Sequence, residues 1–186
     1  MRKEIRLAGT GGQGLILAGV IIAEAAGVYE GKKVIQTQSY GPEARGGASK
    51  SDVIISSEEI LYPKPRKIDI LACLSQKACD AYLKDLKEDG IIIFDNFYVK
   101  RCLIKNCCGL PLSQTTRQRF GREIFTNIVL LGAISEITKI VSLDSLKKAL
   151  QHRVPPATIE SNLQALELGV EIAQQYHNPL STSSSD

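Results

Sequence analysis

A chain of 186 residues, 44% hydrophobic and 23% charged, has the size and composition of one soluble globular domain. A formal net charge of +3, only 5% aromatic residues and no basic stretch interleaved with aromatics argue against a nucleic-acid partner. The longest apolar run carries Glu24 and is too short to span a bilayer, and Met1 leads almost directly into an apolar strand; neither a membrane partner nor a signal peptide is expected, and the cytoplasm is the expected compartment.

The first apolar run, Ile5 to Ala8, is followed by G-T-G-G-Q-G at Gly9 to Gly14 and by the nearly all-apolar Leu15 to Ala26. Strand, glycine turn, helix is the natural parse. Gly9, Gly11 and Gly14 meet the G-x-G-x-x-G spacing, with Gly12 as an extra. Such a turn lets backbone approach a ligand closely, and the N–H groups opening the helix favour an anion. Gly11, Gly12, Gln13 and Gly14 are therefore candidate contacts for a phosphate, pyrophosphate or carboxylate. The dinucleotide fingerprint also wants an acidic residue about 20 positions on, at the end of the second strand. Lys33 to Gln38 offers none, which speaks against a stand-alone NAD-dependent oxidoreductase. A tight turn that serves only helix–strand packing is the plain alternative.

Gly27 and Gly31 bracket a turn before the second strand, Val34 to Thr37. Gln38 to Ser49 is then long, polar and glycine-rich, and it leaves the sheet on the same edge as the first loop. Loops at the carboxyl ends of strands line the ligand crevice of open α/β sheets. Ser39, Tyr40, Gly41, Glu43, Arg45, Gly46, Gly47 and Lys50 are the candidates here. Gly41 and Pro42 fix a turn, Gly46 and Gly47 allow close approach, and the Arg45 guanidinium suits phosphate or carboxylate. A solvated connection is the alternative.

Asp52 to Ser56 reads as a strand, and Glu58 to Pro65 as an extended segment that Pro63 and Pro65 keep out of a sheet centre. Ile68 to Leu74 and Ile91 to Phe94, the latter ending at Asp95 and Asn96, read as buried parallel strands. Between them a helix is expected over Gln76 to Lys87, closed by Gly90. Leu103 to Leu112 gives a weak strand stopped by Pro111, and Arg117, Arg119 and Arg122 follow as a solvated helical face or an anion grip. Thr126 to Ile140 reads as a strong helix, beside whose apolar stripe Asn127 can bond to a loop or act as a cap. Leu143 to Leu150, capped by Ser142, and Ala157 to Tyr176, after the break at Pro155 and Pro156, complete the helices.

The five cysteines form no C-x-x-C pair and are expected to be buried structural thiols rather than ligands. With two histidines, no metal site is expected. The expected fold is α/β: a mostly parallel, open, Rossmann-like sheet with helices on both faces. It is expected as one domain over residues 1–178, with a disordered polar tail at 179–186.

Three stretches together resemble a known family. These are A-G-T-G-G-Q-G-L after the first strand, Q-S-Y-G-P-E-A-R-G-G-A-S-K-S-D-V-I-I-S after the second, and N-I-V-L-L-G-A at Asn127 to Ala133. The chain is similar to the gamma subunit of 2-oxoacid:ferredoxin oxidoreductases, most of all that of the 2-oxoglutarate enzyme. The resemblance implies a multi-subunit enzyme that converts a 2-oxoacid and coenzyme A to acyl-CoA, CO2 and reduced ferredoxin. It implies alpha, beta and ferredoxin-like delta partners, with thiamine diphosphate, magnesium and iron–sulfur clusters held by those partners. This chain lacks the G-D-G…N pattern of thiamine enzymes and lacks cluster cysteines, so it is expected to bind no cofactor, contain no catalytic residue and be inactive alone. Its expected part is to complete the active site and help hold coenzyme A. A purely structural interface role is the alternative.

Overall fold

The computed structural model describes residues 1–39, 48–102 and 104–176. Six strands form one sheet in the order β2-β3-β1-β4-β5-β6: β1 Arg2–Thr10, β2 Lys33–Gln38, β3 Ala48–Ser56, β4 Ile68–Cys73, β5 Leu86–Asp95 and β6 Cys107–Leu110. β1, β4, β5 and β6 run parallel, and β3 lies antiparallel between β1 and β2. A parallel return needs a crossover of a dozen or more residues. Residues 39–47 are too few, so β3 must turn back. Its register on β1 runs without a break from Arg2 opposite Ser56 to Thr10 opposite Ala48. The end of the glycine-loop strand therefore faces the residue on which the second loop returns.

The alternation of β1 assigns the two faces. Ile5 and Leu7 join the larger core, built with α1 (Leu15–Glu24), α4 (Thr126–Thr138), α5 (Leu143–Arg153) and α6 (Ile159–Tyr176). Ala8 joins a smaller core under α2 (Gln76–Tyr82). The helix α3 (Leu112–Phe120) packs against α4 and α6. Helices thus cover both faces, and the mostly parallel α/β architecture expected from the sequence is present.

Several boundaries differ, each for a tertiary reason. The helix expected to reach Lys87 stops at Tyr82, passes through a 3-10 turn at Leu83–Asp85 and becomes β5 at Leu86. Asp85 accepts a hydrogen bond from Arg6 at 2.6 Å, and Leu86 pairs with Ile68, so long-range partners override the local helical pattern. The ladder then slips, from Ile68 opposite Leu86 to Ile70 opposite Ile91. Gly90 consequently lies inside β5 rather than closing a helix. Gly27 does not open a turn either: α1 continues as a π-helical turn over Ala25–Tyr29, and Gly27 packs on Val34. Cys73, Cys79 and Cys108 are buried and Cys102 is half-buried, but Cys107, expected inside, is exposed on the edge strand β6. Leu103 and the 177–186 tail lie outside the described residues.

Arg6 and Asp52 form a buried fork between β1 and β3, with contacts of 2.6 and 2.9 Å, and the Tyr82 ring lies 4.9 Å from the guanidinium carbon. Breaking such a pair leaves an uncompensated charge. On the other face, α4 and α6 approach until a Cβ on Gly132 would overlap the Leu166 carbonyl, and one on Gly169 would overlap the Val129 carbonyl. Backbone cannot yield as a side-chain tip does. Gly169→Ala is expected to cost about 1–3 kcal/mol, read as a lower urea midpoint with an unchanged slope.

Candidate functional site

A crevice of about 400 Å³ opens at the carboxyl ends of the parallel strands. It is lined by the glycine turn after β1, Leu74 after β4, Asp95 at the end of β5 and Ser113 at the start of α3; Thr126 and Asn127 at the start of α4 close it. This is where open α/β sheets take ligands.

The glycine turn is built from its own residues. Gly12 and Gly14 have φ of +87° and +70°, a region L side chains avoid. Gln13 folds back: its Oε1 accepts from the Thr10 N–H at 2.7 Å, and its Nε2 reaches the Leu74 carbonyl at 3.4 Å. The Gln13 amide, expected as a ligand donor, thus ties the β1 and β4 ends together. Gly14 sits at the N-cap of α1, which no side chain caps and whose first turn holds no acidic residue. The positive end of the helix is therefore not offset by an acid or a side-chain cap of its own.

Asn127 locks this turn. Its Nδ2 donates to the Gly14 carbonyl at 3.0 Å, across most of the chain length. Of the two roles open to Asn127, loop bonding is the observed one, since Phe125 holds the N-cap of α4. A Cβ on Gly14 would run into the Asn127 amide, so position 14 requires glycine on both counts.

The second candidate loop is divided. The Ser39 N–H donates to the Lys50 carbonyl at 3.3 Å, closing the β2–β3 ladder at the same rim as the glycine turn. Lys50 Nζ lies 3.9 Å from Asp52 and 5.3 Å from the centre of the Tyr82 ring, on the α2 side of the sheet and away from the crevice. Tyr40, Gly41, Glu43, Arg45, Gly46 and Gly47 lie outside the described residues. Arg117 pairs with Glu123, which also accepts from the Tyr98 hydroxyl at 3.0 Å, so that arginine braces the crevice mouth. Among the described residues, no group of three His, Cys, Asp or Glu is arranged to hold a metal.

Sequence reasoning passed over Asp95 and Ser113 as site residues. The available signal was a polar residue ending an apolar strand at the rim where ligands bind. Asp95 is fully buried, and its Oδ1 accepts from the Phe97 N–H at 3.2 Å. Burial pushes its carboxyl above the ordinary range, against hydrogen bonds from Ser113 and the Phe97 N–H that favour the charged form.

A family model described as pyruvate ferredoxin/flavodoxin oxidoreductase matches residues 4–172. The chain belongs to that family. Among its relatives, the 2-oxoglutarate synthase subunit KorC of Methanocaldococcus jannaschii is 49% identical over 94% of this chain and 96% of its own length. The keto/oxoacid ferredoxin oxidoreductase gamma subunit of Geobacter sulfurreducens shares the fold with a TM-score of 0.86 and 46% identity, over 95% of this chain and 98% of that one. The 2-oxoglutarate:ferredoxin oxidoreductase of Magnetococcus marinus, solved with 2-oxoglutarate, coenzyme A and succinyl-CoA bound, matches with a TM-score of 0.83 and 25% identity. That match covers 94% of this chain but 31% of the longer one. The family resemblance read from the glycine turn, the Ser39–Gly47 motif and the Asn127 stretch therefore holds.

The raised Asp95 carboxyl has a consequence in the chain itself. A folded state that keeps this proton longer than the unfolded state loses stability as pH rises from the ordinary carboxylate range through the raised value. Asp95→Asn removes that loss. It should stabilise the chain at pH 7, and the gain should vanish below the ordinary carboxylate range; Tm measured against pH checks both.

Proposed function

We propose that this chain is the gamma subunit of a multi-subunit 2-oxoglutarate:ferredoxin oxidoreductase. The complex converts 2-oxoglutarate and coenzyme A to succinyl-CoA and CO2, passing electrons to ferredoxin. The observation that carries the reading is the 49% identity with a 2-oxoglutarate synthase subunit over nearly the full length of both chains. Other subunits, of alpha, beta and ferredoxin-like delta type, are its partners. The complex works in the cytoplasm, without nucleic acid or membrane.

The donor chemistry of the chain sets its share of the work. No G-D-G…N stretch is present to seat thiamine diphosphate and magnesium, and the described residues gather no ligand set for an iron–sulfur cluster. The chain does not fit those groups, and they belong to its partners. It offers instead an uncapped helix N-terminus beside a glycine turn. The loop carrying Arg45 leaves and re-enters the sheet at the same rim. These features suit the phosphates of coenzyme A at a composite site.

An interface role without ligand contact has one observation in its favour. Tyr98 and Ile124 at the crevice mouth, with neighbouring Phe97, are 39%, 68% and 36% exposed. Apolar groups so placed suit a neighbouring subunit, and both roles can coexist. Arg45→Ala in the assembled complex separates them. Loss of one charge-assisted contact should raise the KM for coenzyme A about ten- to hundredfold with the complex intact. Unchanged KM and turnover would leave only the interface role.

A further inference from the structure

Three cysteines meet in the smaller core under α2. Cys73 ends β4, Cys79 lies on α2, and Cys102 packs against that core from the segment between β5 and β6. Access rises along the series: Cys73 is 0% and Cys79 1% exposed, and Cys102 is half-buried.

Gln76 fixes their encounter. Its Oε1 accepts from the Lys100 and Arg101 N–H groups at 2.8 and 3.0 Å, and its Nε2 donates to the Arg101 carbonyl at 3.0 Å. Residues three apart on a helix share a face, so Gln76 and Cys79 are turned the same way. A backbone held by Gln76 at Arg101 delivers the next residue, Cys102, to Cys79. The Cys79 sulfur is hydrogen-bonded to both the Cys73 and the Cys102 thiols.

These contacts decide which sulfur loses its proton. The bond from Cys73, against the cost of burial, brings the Cys79 thiol down to about 7, and the bond from Cys102 works the same way. Burial pushes Cys102 up to about 11, with charge on Cys79 adding to the effect. A thiolate at Cys79 thus lies against a thiol at Cys102. No group of cysteines, histidines and acids among the described residues is arranged for a metal, which leaves the chemistry of sulfur with sulfur.

We infer that Cys79 and Cys102 are an oxidant-sensitive dithiol, closing to a disulfide that ties α2 to the segment carrying Phe97 and Tyr98 at the crevice mouth. The oxidant is a peroxide, and it meets the more exposed Cys102. The Cys102 sulfur attacks one peroxide oxygen while its proton passes to the Cys79 thiolate; the O–O bond breaks and hydroxide leaves. The Cys79 sulfur then attacks the sulfenic sulfur of Cys102, and its proton departs with the displaced hydroxyl as water. Two sulfurs give up two electrons, and the peroxide takes them as hydroxide and water. A dithiol reductant reverses the bond.

Closure requires the sulfurs to approach to about 2.05 Å. Cys102 lies outside every helix and strand and can shift, whereas Cys73 is held in the sheet between Ala8 and Phe94. Cys79 therefore pairs with Cys102 rather than with Cys73. The inference stands on these residues whatever ligand the crevice takes.

The test treats the assembled complex with hydrogen peroxide, alkylates the remaining thiols and digests with trypsin. Cleavage after lysine and arginine separates the cysteines: Cys79 falls in 78–84, Cys102 in 102–105, and Cys73 in neither. The expected product is 78–84 joined to 102–105, rising about tenfold over the untreated complex and returning to its starting level with dithiothreitol. Cys102→Ser should abolish that product and leave Tm unchanged. A link from Cys79 to Cys73, a link from Cys102 to Cys107, or Cys102 carried to its sulfonic acid without a joined peptide would each overturn the pairing. Cys102 joined to a cysteine of another subunit would overturn it as well.

Discussion

The ladder between β1 and β3 governs the rest of the molecule. Nine consecutive pairs hold Thr10 opposite Ala48, so the glycine turn and the second loop must share one rim. The same ladder brings Arg6 beside Asp52, burying a forked ion pair that a register slip would break. A slip of one residue would also move Ile5 and Leu7 out of the core. Apolar burial and buried charge thus specify the same register.

From that rim the site is assembled by contacts between distant segments. Gln13 joins the ends of β1 and β4, and Asn127 fastens α4 to Gly14. α4 is itself positioned by its close crossing with α6, where Gly132 and Gly169 let the backbones meet. The small residues of the helix pair therefore act on the crevice at one remove: they set how closely the start of α4 approaches the glycine turn. The resulting cavity has a glycine-lined end at the N-terminus of α1 and carries Asp95 and Glu123 among its other lining residues.

Much of this was legible in the residues alone. The glycine turn, the polar loop after the second strand, the α/β class with helices on both faces, the Ser142 cap and the choice offered at Asn127 all follow from spacing and residue chemistry within a few turns of chain. The end of α2, the strand character of Leu86 to Gly90, the place of Lys50 beside Asp52 and the convergence of Asp95 with Ser113 did not. Local periodicity encodes which face of an element is apolar, and that was enough for the architecture. Which charged or polar side chains meet depends on strands and helices brought together by closure of the whole sheet. Arg6 can claim Asp85 and shorten a helix only once β1 and the segment after α2 are side by side.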